Sequence, residues 1–318
     1  MKTDLTNTPA ADGILKAYTD HWDDVLRRWA EDGDVPAPER CWFEGEGSTL
    51  IPCLMPEPYW GDPAACSAVL LNYNPGDKHR KKADFSNEPT SICRIKGQYG
   101  KALAEALRQG YSAEAKTFPW LDAEQARRAA IPLPERACRW LRRRAGWIGR
   151  LVGDEGDPRP PFFMELCAWH SHRWTISQFS DAQEAYITQL VLPTLRAAVQ
   201  GSSLGVGLAV GKRIGEFLHH KCGFRNITGE LQLADAGGCL DCDREDDGLR
   251  WQPIPTTKRW YRVYRCDGKG DDTVVVVTWS PGSNNQPSRA FAPQERELLA
   301  RIEAYRTAAC KQERRTQQ

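Results

Sequence analysis

The sequence predicts an α/β protein: a three-layer α/β/α sandwich around a central, mainly parallel four-stranded sheet. Two observations predict it. Four segments read as strands, 67–73, 161–168 (PFFMELCA), 204–210 (LGVGLAV) and 273–279 (TVVVVTW), and three of them are continuous apolar runs, as in parallel strands covered on both faces. Helical stretches separate the four, and strands alternating with helices build a parallel sheet with helices packed against it.

In chain order, residues 14–30 (ILKAYTDHWDDVLRRWA) carry apolar residues at helical spacing with charges on the other face. Residues 31–63 are rich in Pro and Gly and hold one short extended piece, TLIPCLMPEPYW. Further helices are expected at 98–110, 123–130, 135–150, 178–200, 212–221 and 292–309. Residues 222–272 read as an insertion of Gly/Asp-rich turns with one aromatic, basic strand, KRWYRVYR at 258–265. The expected organisation is an N-terminal helix and extension over 1–63 packed on the core, an α/β domain over 64–310 carrying that insertion, and a disordered tail over 311–318.

Charge limits the function classes. The 43 Lys and Arg nearly cancel the 42 Asp and Glu, so the chain is not a general polyanion coat, and any nucleic-acid surface must be local. No apolar signal follows MKTDLTNTPAADG, and no apolar run reaches membrane-spanning length, so a soluble, intracellular (cytoplasmic) protein without a membrane partner is expected. Eleven scattered Cys suit a reducing compartment. Cys53, Cys66, Cys138 and Cys167 sit among apolar neighbours and read as small buried hydrophobes. Cys239 and Cys242 stand at metal spacing, and with Cys222 and Cys266 they could complete a four-thiolate zinc site; a Gly-Gly-containing turn explains the same residues.

In an open parallel sheet, ligands bind beyond the carboxyl ends of the strands. Those ends read Asn72-Tyr73-Asn74-Pro75-Gly76-Asp77; Glu165 followed by Trp169-His170-Ser171-His172-Arg173-Trp174; Gly211-Lys212-Arg213; and Thr278-Trp279-Ser280-Pro281-Gly282-Ser283-Asn284-Asn285. Every end is polar. The first, N-Y-N-P-G after an apolar strand, resembles the G-x-N-P-G motif of the uracil-DNA glycosylase superfamily, in its mismatch-specific and single-strand-selective branches. The last resembles that superfamily's H-P-S-P-x-N loop, which enters the DNA groove, and Gly211-Lys212 resembles its penultimate strand-to-helix turn. The resemblance covers roughly residues 65–290 outside the insertion.

That resemblance implies roles. Asn74 would hold the water that attacks the deoxyribose carbon as the base leaves; an amide positions water but is a poor base. Asp77, His170 or His172 would assist. The base pocket would comprise Tyr73, Gly76, Phe85 and Glu165. Gly76 stands where strict uracil enzymes place a Tyr that blocks a 5-substituent, so space is left there. Phe85 stands where the family stacks an aromatic ring on the flipped base. Glu165 departs from the family, whose second strand carries an Asn that reads uracil. An ionised carboxylate only accepts, and so suits cytosine's amino group; a protonated one would also donate. Thr278 stands where the family's catalytic His belongs, leaving His170 or His172 to stabilise the departing base. The groove-entering loop would use Thr278, Trp279, Ser280, Pro281, Ser283 and Asn284, with Lys212 from the neighbouring turn.

Each residue has a plainer explanation: Asn74 and Gly76 as turn residues, Phe85 as core, the histidines as surface or core side chains. Arg142, Arg143 and Arg144, within the acid-free RACRWLRRRAGWIGR, fit either a phosphate-tracking helix with Trp140 and Trp147 interleaved or a solvated face. KRWYRVYR fits a second DNA contact or a charged sheet edge. The expectation is a monofunctional DNA glycosylase that excises a pyrimidine, a 5-modified cytosine or uracil, without metal or organic cofactor. Its rivals are an inactive DNA-binding relative of that fold and a nucleoside or nucleotide hydrolase. The sequence leaves open whether the setting is DNA repair or antiviral defence against modified phage DNA.

Overall fold

A computed structural model describes residues 11–31, 35–43, 50, 56–73, 135–152, 159–169, 179–231, 260–266, 272–279 and 296–307, together with the strand pieces Glu245–Asp246, Leu249–Arg250 and Gln252–Pro253. The first helix, α1 (Ala11–Glu31), buries Leu15, Tyr18, Trp22, Val25, Leu26 and Trp29. Their spacing of three and four residues makes one continuous stripe. A single turn, α2 (Ala37–Arg40), and a short strand, β1 (Tyr59–Trp60), follow.

The four expected strands form as β2 (Val69–Asn72), β3 (Phe162–Glu165), β4 (Gly207–Val210) and β10 (Val274–Trp279). They are adjacent and mutually parallel, in the order β3-β2-β4-β10. The sheet does not stop at four strands. Antiparallel neighbours extend it on both sides: β1 beyond β3, then β9 (Trp260–Cys266), β5 (Phe224–Asn226) and β8 (Gln252–Pro253) beyond β10, giving eight strands. A separate two-stranded ribbon pairs β6 (Glu245–Asp246) with β7 (Leu249–Arg250). Three strands from within the expected insertion at 222–272, β5, β8 and β9, therefore belong to the main sheet rather than hanging outside it. The charged-edge reading of KRWYRVYR is corrected by the same pairing. β9 lies between β10 and β5, and Arg262 within it is fully buried beside Tyr264.

Helices pack against the sheet and against one another. After α3 (Glu135–Val152), the chain forms α4 (Asp181–Tyr186), a π-turn (Ile187–Val191) and α5 (Leu192–Gly201) without a break. Pro193 explains the π-turn. It has no N–H, and its ring would strike a carbonyl four residues back, so the helix widens just before it. The Leu192 N–H then donates to the Ile187 carbonyl, five residues back. Ser180 and Gln183 close a reciprocal capping box at the start of α4.

α5 packs along α1 and onto the sheet face of Gly207, where an added methyl would meet Val199 and Val275 at 3.2 Å. α6 (Lys212–Lys221) lies against β9, where a methyl on Gly215 would run into the Tyr264 ring at 2.8 Å. α3 and the last helix, α7 (296–307), are linked to each other by Arg296, which donates to the Arg150 carbonyl. Trp147 and Ile148 of α3 and Leu298 and Ile302 of α7 are buried.

Candidate functional site

The strand order decides where a site can sit. From β2 the chain moves to β3 on one side, then returns to β4 on the other side of β2. The strand order thus reverses between β2 and β4, and the crevice beyond the carboxyl ends of two such strands is the usual ligand position. The first of these ends runs through Asn72 and Tyr73 toward Asn74. The second turns into α6 at Gly211, whose φ of 130° suits glycine. The Gly211 N–H donates to the Thr278 carbonyl at 2.9 Å, binding the ends of β4 and β10 together.

The strand ends also form one level. Asn72 is the register partner of Glu165, and Val210 that of Thr278; Leu71 opposite Ala209 puts Asn72 level with Val210. In-register side chains of a parallel sheet share a face. The row is Glu165, Asn72, Val210 and Thr278, all buried. Arg144 of α3 covers it. Arg144 is only 3 % exposed, and its Nε lies 3.5 Å from Asn72 Oδ1, a long contact.

Glu165 is 7 % exposed. Burial, then the nearby Glu57 carboxyl, push its pKa well above the ordinary value; Arg144 and the Asn72 amide oppose the rise without cancelling it. The group is therefore held toward its neutral form, with one donor and one acceptor. An ionised, accept-only Glu165 is not what this environment favours, so the argument from Glu165 for cytosine over uracil loses its footing. Burial also pushes the Tyr73 phenol up, with Arg213 at the start of α6 pulling the other way. Arg213 is close enough to act on Tyr73 across the crevice between β2 and β4.

Several expected site residues lie elsewhere than expected. Thr278 is 2 % exposed inside β10, with its hydroxyl directed at the Ala209 carbonyl, so it is not a DNA contact. Arg144 faces the sheet and leaves the phosphate-tracking set, and Trp147 is core rather than a stacking platform. Lys212 opens α6, partly exposed, 3.8 Å from Glu216. Trp279 ends β10, paired with Trp260. Cys66 and Cys167 are buried, as expected, and so are Cys222 and Cys266; burial pushes the Cys222 thiol up to about 12. No group of metal-ligating side chains occurs among the described residues. Asn74, Gly76, Asp77, Phe85, His170, His172, Ser280, Pro281, Ser283, Asn284, Cys239 and Cys242 lie outside the described residues, as do the side chains of Arg142 and Arg143.

A second buried polar cluster was not anticipated. The Glu39 carboxyl of α2 accepts from Trp169 Nε1 at 2.9 Å and from the Tyr186 hydroxyl at 2.6 Å, and it pairs with His21 Nε2 at 2.9 Å. Burial and the Glu39 carboxyl push the Tyr186 phenol up, which keeps it a donor. The cluster ties α1, α2 and α4 to the segment after β3, one residue before His170. Among the described residues, no helix is long and apolar enough to cross a membrane.

No family model matches this chain. Comparison with curated proteins and with solved structures likewise finds no match.

Proposed function

We propose that the protein is a monofunctional DNA glycosylase built as a three-layer α/β/α sandwich, which flips a pyrimidine out of DNA and hydrolyses its N-glycosidic bond. One observation carries the reading: the buried polar side chains of Glu165, Asn72 and Thr278 at the carboxyl ends of parallel strands, beside the strand-order reversal, with Asn72 followed by Tyr73 and then N-P-G. Such a place suits a planar base, because buried polar groups discriminate strongly between matched and unmatched hydrogen-bonding edges. Extruding the base exposes that edge to the protein. Asn74 positions the attacking water, and catalysis then rests on stabilising the leaving base and the cationic sugar. The substrate is uracil or a cytosine bearing a substituent at carbon five, with Gly76 leaving the space for it.

The test is an abasic-site assay on single- and double-stranded oligonucleotides carrying uracil, 5-hydroxymethylcytosine or its glucosylated form. Excision of at least one base, lost in Asn74→Ala with DNA binding retained, supports the reading. Cleavage of free nucleosides but not of DNA would replace it with a nucleoside hydrolase. DNA binding without excision of any base would leave only an inactive relative. Gly76→Tyr should hurt bulky 5-substituted bases far more than uracil; equal loss on all bases would remove Gly76 from the specificity argument.

A further inference from the structure

Two buried polar atoms in the strand-end row lack partners. Asn72 is 4 % exposed and Glu165 7 %, yet neither Asn72 Nδ2 nor Glu165 Oε2 closes a hydrogen bond within 3.5 Å. They belong to register partners on adjacent strands, at the same level of the same face. The Asn72 amide still acts on the Glu165 carboxyl as a hydrogen-bonding group and opposes the rise in its pKa, although no well-formed bond between them closes within 3.5 Å. Burying such atoms unmade costs on the order of 1–3 kcal/mol each, and a second strand-end group makes this a composite rather than a chance orphan.

The chemistry of Arg144 fixes which way the amide faces. A guanidinium carries only donors, so the oxygen of Asn72 turns toward it, as the 3.5 Å contact to Oδ1 records, and Nδ2 turns away as a donor. We propose that Asn72 is a specificity-determining residue that reads the base jointly with Glu165, Asn72 donating and Glu165 accepting. The complement is a ring edge with an acceptor beside a donor. A 4-oxo pyrimidine offers O4 to Asn72 and N3–H to Glu165; a 4-amino pyrimidine offers N3 to Asn72 and its amino group to Glu165. Guanine (O6 beside N1–H) and adenine (N1 beside its amino group) offer the same pattern. Arg144 is a positioning residue that orients the amide. The pair thus selects a base edge with an acceptor beside a donor, and its restriction to a uracil-like or cytosine-like pyrimidine rests on the glycosylase reading.

The experiment separates the two. The side-chain amide signal of Asn72, assigned by NMR in the full chain, is followed while 2′-deoxyuridine, 2′-deoxycytidine or 3-methyl-2′-deoxyuridine is added. In parallel, affinity is measured for a duplex carrying one non-cleavable 2′-fluoro-2′-deoxyuridine, relative to the unmodified duplex. The first two nucleosides should shift the signal; the 3-methyl compound, which lacks the N3 donor, should not. Asn72→Asp keeps an acceptor for Arg144 but removes the donor, and should lower the preference for the fluorinated site by roughly ten- to a hundredfold. Should that variant unfold, the wild-type signal decides alone. A signal that ignores both nucleosides, or a folded Asn72→Asp that keeps its preference, overturns the pairing while leaving a glycosylase possible. A signal that moves with nucleosides in a protein that ignores DNA supports the pairing and removes the glycosylase.

Discussion

Replacing Glu165 with Gln should stabilise the protein by an amount that grows with pH. Folding buries the Glu165 carboxyl beside Glu57, and these two causes outweigh the opposing influence of Arg144 and Asn72, so its pKa rises well above 4.5. Below the unfolded value both states hold the proton, and the contribution of the neutral acid to stability is fully present. Above it the unfolded chain releases the proton while the folded chain keeps it. Wild-type stability then falls by about 1.4 kcal/mol per pH unit until the folded pKa is passed, where the loss levels off. Gln has no proton to lose. The difference between variant and wild type should be flat near pH 4 and climb from there at roughly that slope. Urea unfolding of both proteins in half-unit pH steps from about 4 to 8 measures it, and all other titrations cancel in the difference. Glu57→Gln, made alongside, should end the climb at a lower pH, since it removes the second cause of the shift. A difference that stays constant across the range would refute the reasoning, since Glu165 would then titrate alike in both states; a difference that falls as the pH rises would mark an acid held ionised by Arg144.

Glu39→Ala should destabilise the fold by about 1–3 kcal/mol for each buried donor it strips, read by urea unfolding; an unchanged midpoint would mean water replaces the carboxyl at no cost. Arg144→Ala should lower stability and leave the salt dependence of DNA binding unchanged, whereas Arg142→Ala with Arg143→Ala should flatten that dependence, because phosphate contacts release counterions. The opposite assignment would put Arg144 on the surface. Cys222 should resist thiol reagents in the native protein and react only on unfolding, since burial holds its thiol protonated; modification at the rate of an exposed thiol would show that the strand end opens.

Much of the fold was legible because the four parallel strands are covered on both faces and so appear as unbroken apolar runs. The antiparallel edges were legible only in part. β1 closes the extended piece TLIPCLMPEPYW, but β5 and β8 are three and two residues long, too short for any periodicity, and only their pairing makes them strands. β9 was legible as a strand, but its basic, aromatic alternation suggested an exposed edge. Arg144 was misplaced for a reason visible in hindsight: it shares a spacing of three and four residues with Trp147, Ile148 and Leu151, the buried stripe of α3. Asn72 escaped notice because its importance comes from standing opposite Glu165, ninety-three positions away (165 − 72), and register between distant strands is not written in local sequence.

The π-turn at Ile187–Val191 makes one helix serve two masters. Upstream, Gln183 donates to the Cys41 carbonyl and Tyr186 to Glu39; downstream, Leu195, Ala198 and Val199 are buried in the core. The extra residue per turn sets the phase between these two sets of side chains. Thr188 and Gln189 within it are exposed, so their identity is free while their number is not. Loss of a single residue there would rotate one half by about 100° against the other, tearing either the Glu39 cluster or the core contact. This is a position that tolerates almost any substitution and no deletion.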